Sequence, residues 1–328
     1  MSLDHKVIRI ELPTPFPIGP VNVFLLKADK VTLIDAGMKT KEAWNVFEEA
    51  LRKEGYKVTD IEQVILTHQH PDHTGFLEWL PSDIPVYGHK LVEPWIYQDE
   101  EFVQQHSELY RNFLMEFGVS DDVMEEWLRK ATAAIQVYSP KGQKLTGYLK
   151  EGDTLPYASD WEVIEAPGHS LSQLMFYNRK EKVAFGGDHI LPKVPSNPYL
   201  EPTIQNPKPT PLLDYLASLE KTLNYDIDLI YSGHGEPLSD IHSLIMERIQ
   251  KQHKWALRVL QAMGQGKKTT LEVSAAFFPD MYQKAPDFIF SEVYGQLTYL
   301  EKEGYVELTK NEEGVLLWEA ARVLAHQS

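Results

Sequence analysis

Three histidines and an aspartate fall within six residues of this chain: His68, His70, Asp72 and His73, in the pattern HxHxDH. Imidazole nitrogens and carboxylate oxygens are the donors that hold zinc and the neighbouring divalent metals. The apolar run Val64, Ile65, Leu66 just before them reads as a strand. At a strand end alternate residues share a face, so His68 and His70 would point together. Pro71 suits the first turn of a helix, which would turn Asp72 and His73 away as a second pair. One short segment can then present two ligand pairs to two adjacent metal ions. The blander alternative is a surface loop rich in histidine.

Four more polar residues stand where apolar runs end in Gly- or Pro-containing turns: Asp35, His169, Asp188 and His234. Singly, each has an ordinary reading as a turn former or structural residue. Together with the cluster they complete an inventory for two metals. Site one would be His68, His70 and His169; site two would be Asp72, His73 and His234; Asp188 would bridge them. The metal would be zinc first, with manganese or iron open, since His/Asp sites accept all three.

The elements that must position these groups are legible as short apolar runs. Strands are expected over 7–12, 21–26, 31–34, 61–67, 85–87, 145–149, 161–164, 174–177, 183–187 and 229–231, and helices over 40–55, 74–80 and 212–223. Residues 191–211 hold seven prolines, which excludes a regular element and predicts a long ordered loop or extended arm. Between residues 91 and 140 aromatic residues recur at helical intervals, and ten acidic residues face three basic ones. That stretch reads as a helical insertion, either an acidic pair packed on the core or a lid whose aromatics shape a substrate pocket. After Pro237 come a long amphipathic helix over 240–263, a helix opened by a capping box at Thr269 and Glu272, a third over 287–302, and a hairpin over 305–318. Three helices and a hairpin is the order of a winged-helix module. The expected division is therefore a catalytic domain over 1–238, its insertion at about 91–140, and a winged-helix-like domain over 239–328.

The 328 residues carry no cysteine and a net charge of −16. Thiolate sites, disulfides and Cys nucleophiles are excluded. The acidic balance disfavours a general polyanion binder. No apolar run is long enough for a membrane span, and the first six residues lack the apolar core of a signal peptide, so a cytoplasmic protein without membrane contact is expected.

HxHxDH followed by Gly-His at 168–169, Gly-Asp at 187–188 and Gly-His at 233–234 resembles the metallo-β-lactamase fold hydrolases over residues 7–237. The resemblance implies an α/β fold, a four-layer αβ/βα sandwich with the metals at one edge between its sheets. It implies the ligand assignment given above, with Asp35 buttressing the ligands. It also implies a dinuclear-metal-dependent hydrolase using a metal-bound hydroxide, with Asp72 and Asp188 in catalytic positions. Flavodiiron members carry Glu at the second ligand position; His70 here favours hydrolysis over redox chemistry. Glyoxalase II resembles the core but has a different C-terminal region. The tail most resembles β-lactamase-like proteins with an appended winged helix, some of which cleave single-stranded RNA. A small ester, lactone or thioester is the first expectation for substrate and RNA the second, while the tail could serve only for dimerisation, as in a homodimer, or docking. His189 and Ser170 are adjacent candidates for protonating the leaving group.

Overall fold

The computed structural model describes residues 6–98 and 100–321. The first five residues and the last seven, on which parts of the leader and tail expectations fall, lie outside that range. In chain order, strands β1 (Val7–Leu12), β2 (Val21–Lys27) and β3 (Val31–Ile34) precede helix α1 (Lys41–Lys53). Next come β4 (Gln63–Ile65), the one-turn helix α2 (Pro71–Thr74) and β5 (Val86–Gly88). Helices α3 (Glu93–Tyr97), α4 (Glu100–Glu116) and α5 (Asp121–Tyr138) follow. Then come β6 (Gly147–Tyr148), β7 (Thr154–Leu155), β8 (Ala158–Glu165), β9 (Leu174–Asn178), β10 (Val183–Gly187), α6 (Pro211–Thr222) and β11 (Leu229–Ser232). The tail holds α7 (Ile241–Met263), α8 (Thr270–Phe277), α9 (Pro279–Tyr282), α10 (Pro286–Lys302) and the strands β12 (Val306–Lys310) and β13 (Leu316–Ala320).

The strands form a six-stranded sheet in the order β1-β2-β3-β4-β5-β6, a five-stranded sheet in the order β11-β10-β9-β8-β7, and the tail hairpin. Both large sheets are buried on two faces, which is why their strands read as continuous apolar runs. Period-two alternation sorts the side chains. In β2, Val21, Val23 and Leu25 join α1's Ala43, Phe47 and Leu51 on the outer side, whereas Phe24 and Leu26 face the other sheet. In β9, Leu174 and Phe176 meet them there, and Met175 and Tyr177 turn outward to α6 and α7. Helix, sheet, sheet, helix is the expected four-layer αβ/βα sandwich.

Because β3 pairs with β4 in parallel, and β10 with β11, the turns leaving the two strands of each pair open at the same edge. Asn22 fastens the two sheets there: its amide donates to the carbonyls of Ser232 (2.9 Å) and Gly235 (2.7 Å).

The insertion differs from a lid. Phe113, Leu114, Phe117 and Trp127 of α4 and α5 are buried in one core with Val259 and Met263 of α7, Phe290 and Tyr294 of α10, and Trp318 of β13. Burying each such side chain contributes about 1.5–3 kcal/mol, and here that burial ties the insertion to the tail. Three of the insertion's aromatics, Phe113, Phe117 and Trp127, are spent on this shared core and not on a substrate pocket, so these helices follow the packed-pair reading. In the tail, Thr269 caps α8 with the expected reciprocal Glu272 bond. Residues 191–210 form no helix or strand, as the prolines require. Among the described residues no helix is long and apolar enough to cross a membrane.

Candidate metal centre

β4 ends at Ile65, and the chain runs irregularly through Thr67, His68 and Gln69 into α2, where Pro71 takes the first helical position and His70 the cap. The clustered residues therefore leave a short buried strand and turn at once. His169 comes from the β8–β9 turn, Asp188 from the end of β10, and His234 from the turn after β11. The structure brings all seven candidate ligands together. His68, His70 and His169 form one group of converging donor atoms, Asp72, His73 and His234 another, and Asp188 joins His68 and His73 in a third. His73 and His169 approach the two oxygens of Asp188 at 3.4 and 3.5 Å, and His234 lies 3.4 Å from it as well. Asp188 therefore touches members of both sets.

The partners of the outward-facing ring atoms fix which imidazole nitrogen faces inward. A carbonyl oxygen only accepts. His169 Nδ1 must then donate to the Asn197 carbonyl at 3.0 Å, and His234 Nδ1 to the Pro20 carbonyl at 2.7 Å. His73 Nδ1 donates to Asp35 Oδ2 at 2.8 Å. The Thr67 hydroxyl donates to the same Asp35 oxygen at 2.8 Å, so it accepts from His68 Nδ1 at 3.0 Å. In each neutral ring the Nε2 lone pair is left pointing into the cluster. His70 is turned the other way: its Nδ1 lies 3.1 Å from His68 Nε2 and 2.9 Å from His169 Nε2, while its Nε2 faces Glu201 at 3.9 Å. His73 Nε2 and Asp188 Oδ1 are buried without a hydrogen-bond partner. Converging lone pairs and carboxylates, with orphaned inward atoms, are a donor set that fits divalent cations; two of them would set four positive charges against Asp35, Asp72 and Asp188.

The titration behaviour of these side chains says the same. Burial opposes charge on His234, but Asp188 and Asp72 outweigh it and lift the ring to about 10. For His73 too, burial is outweighed by Asp188, Asp35 and Asp72, and the ring sits well above its ordinary range. Burial also works against charge on Asp188, yet His234 and His73 hold it well below the carboxylate range. The carboxylates of this group thus favour positive charge among them. The other group lacks a carboxylate of its own: burial and neighbouring imidazoles push His70 down to about 3 and His68 well down.

Asp35 holds the arrangement from behind. It follows β3 with φ 59°, a left-handed conformation that Asp tolerates better than most residues. Its carboxylate accepts from the Thr67 backbone N–H (2.7 Å), the Thr67 hydroxyl and His73. Gly233 is required by space: a Cβ there would lie 2.1 Å from Asp188 Oδ1 and 2.7 Å from His73 Cε1.

Residues 17–234 match the sequence profile of the metallo-beta-lactamase superfamily. The chain belongs to that superfamily. It is a metal-dependent hydrolase. Among relatives within the superfamily, it is 37% identical over 302 residues to "Probable metallo-hydrolase YqjP" of Bacillus subtilis (strain 168), covering 91% of this chain and 93% of that one. It is 23% identical over 298 residues to an "Atrochrysone carboxyl ACP thioesterase" of Pseudocercospora fijiensis, covering 90% of this chain and 69% of that protein. The solved structure of the metallo-beta-lactamase family protein TTHA1429 from Thermus thermophilus superposes with a TM-score of 0.76 at 27% identity, covering 97% of this chain and all of that one.

The two suggested proton donors are not in the metal-facing cluster. His189 turns to α6, where its Nε2 lies 2.9 Å from the Thr222 hydroxyl. Ser170 is buried beside Ser172 at 3.4 Å. The proline-rich arm instead supplies three residues that the sequence did not single out. Asn197 holds His169 through its carbonyl. Glu201 is fixed by Gln69 Nε2 (2.5 Å) and the Leu171 N–H (2.9 Å) and faces His70. Tyr199 sets its ring edge against His70, with centroids 4.9 Å apart, and against His169 at 5.6 Å.

Proposed function

We propose that His68, His70 and His169 hold one divalent metal, that Asp72, His73 and His234 hold a second, and that Asp188 bridges them, with Asp35 orienting His73. The observation that carries this reading is Asp188, within 3.5 Å of ring nitrogens from both groups and with one oxygen left unpartnered. Zinc is the first choice, imidazole and carboxylate being among its usual donors, with manganese or iron accepted by the same set. Bound metals supply Lewis-acid polarisation of a substrate oxygen and a bound water acidic enough to attack near neutral pH. The chain's own residues do the rest. Asp188 keeps the two groups in register and presents a carboxylate oxygen able to accept a hydrogen bond from the nucleophile. The Asp35–His73 and Asn197–His169 contacts hold the rings in the tautomer whose Nε2 is free. Tyr199 lines the approach. Desolvation, with Asp72 and Asp188 adding, pushes its phenol up to about 12, so it stays protonated through the neutral range beside His70 and His169.

The substrate is a small ester, lactone or thioester, and the thioesterase named among the relatives supports the thioester. Cleavage of RNA would call on the tail as a nucleic-acid reader. Helix α10 stands where a winged helix carries its recognition helix, but ten of its residues, from Ile289 to Leu300, are buried against neighbouring helices. Its one basic residue, Lys302, is at its end. A buried helix with one terminal cation cannot enter a groove or bind phosphates along its length. We read the tail, residues 239–328, as a scaffold for the insertion and the arm rather than as a reader of RNA, and the site as a cytoplasmic small-molecule hydrolase. A panel of an S-acyl pantetheine, acyl lactones, a phosphodiester and single-stranded RNA, assayed with and without chelator, tests this. Chelator-sensitive hydrolysis of the thioester or lactones is expected. Faster cleavage of the RNA would reverse the assignment.

A further inference from the structure

Arg248 is a cation inside an apolar stripe. It follows Ile241 and Ile245 on the buried face of α7 and is 6% exposed. Arginine is rarely buried without an acidic partner. Its partners here are main-chain carbonyls: Nη2 donates to Leu191 and, at 3.0 Å, to Val194. Both carbonyls belong to the start of the proline-rich arm. On one side of them in the chain is Asp188, three residues before Leu191. On the other is Asn197, three residues after Val194, whose carbonyl receives His169 Nδ1. Further along, Leu200 is buried in the core shared by the insertion and the tail, between Tyr199 and Glu201, which both face His70. An arm with six prolines between residues 191 and 210 makes few hydrogen bonds of its own, so its path depends on such outside anchors.

We propose that Arg248 is a positioning residue for the metal centre: from the C-terminal segment it clamps the arm whose Asn197 carbonyl fixes the ring of His169. This rests on the reading of His169 as a ligand of one metal. One terminal nitrogen, Nη2, serves both carbonyls from the end of a planar, rigid guanidinium, a position that an ammonium on a flexible stem reproduces less well. Removing the clamp frees the arm between Leu191 and Asn197, so the Asn197 carbonyl no longer holds His169 Nδ1 in place. Loss of such an outer partner of a ligating histidine typically weakens metal binding about 10–100-fold. The effect falls first on the metal that His169 holds, because the Nδ1 partners of His73 and His234 are Asp35 and Pro20, which do not belong to the arm.

The test is stepwise zinc titration of the metal-stripped full chain against a competing chelator, with cobalt(II) absorption as a second readout, in wild type, Arg248→Met, Arg248→Lys and His169→Ala. We expect Arg248→Met to weaken one of the two zinc sites about tenfold or more, to leave the other within about threefold, and to perturb one cobalt spectrum. Arg248→Lys is expected to fall between it and wild type. Unchanged affinities at both sites in Arg248→Met overturn the proposal. So does an equal loss at both in step with a lowered melting temperature, which marks a purely structural role. Should Arg248→Met not fold, Arg248→Lys alone decides: a selective loss supports the clamp, and two unchanged sites reject it. His169→Ala separates the two claims. If it keeps both zincs, the ligand assignment itself fails; if it loses one while Arg248→Met keeps both, only the role of Arg248 fails.

Discussion

At the scale of single residues, the His/Asp cluster was legible because His68, His70, Asp72 and His73 sit together and Pro71 signals the turn that splits them into two pairs. Asp35, His169, Asp188 and His234 were legible by their places at strand ends. What escaped were contacts made through the main chain. Nothing in the side chain of Asn197 announces that its carbonyl holds His169, and nothing at Pro20 announces that its carbonyl holds His234. Glu201 and Tyr199 escaped because the arm that carries them has no periodicity to reveal a face. Gly233 gives a sharp test at this scale. A methyl group there would collide with Asp188 and His73, so Gly233→Ala is expected to weaken metal binding about tenfold or more with the circular dichroism of the fold retained. Unaltered zinc affinity in that variant would mean that the β11 turn shifts freely and is not a fixed wall of the site.

At the scale of elements, continuous apolar runs marked the strands and the caps marked α1 and α8. The insertion was the misleading part. Its helical periodicity was read correctly, but periodicity says which face is apolar and not what covers it. Phe113, Phe117 and Trp127 face the tail's core and do not shape a substrate pocket. The same element holds His106, stacked among Trp95, Phe102 and Tyr110. Burial pushes its ring from 6.5 down to about 4. Between those limits the unfolded chain binds a proton that the folded chain does not, so His106 costs stability as pH falls through the window and nothing above it. In urea unfolding at a series of pH values, His106→Gln is expected to flatten the loss of stability from about pH 6.5 to 4. An unchanged slope would show that this ring titrates normally in the folded chain.

At the scale of the whole molecule, the two sheets deliver their strand ends to one edge, and the superfamily's site geometry follows from that topology. The tail was read as a winged-helix-like domain of its own over residues 239–328. The shared core, the buried α10 and the clamp of Arg248 on the arm tie it instead to the insertion and to the surroundings of His169. Order along the chain suggested a winged-helix module, and that order does not reveal how deeply the third helix is buried. The central claim, that the buried His/Asp cluster is a dinuclear centre bridged by Asp188, is tested most directly by elemental analysis of the purified chain beside Asp188→Ala. We expect about two metal equivalents per wild-type chain and, in Asp188→Ala, loss of metal with near-complete loss of hydrolysis. Two retained metals with normal turnover in Asp188→Ala would contradict it.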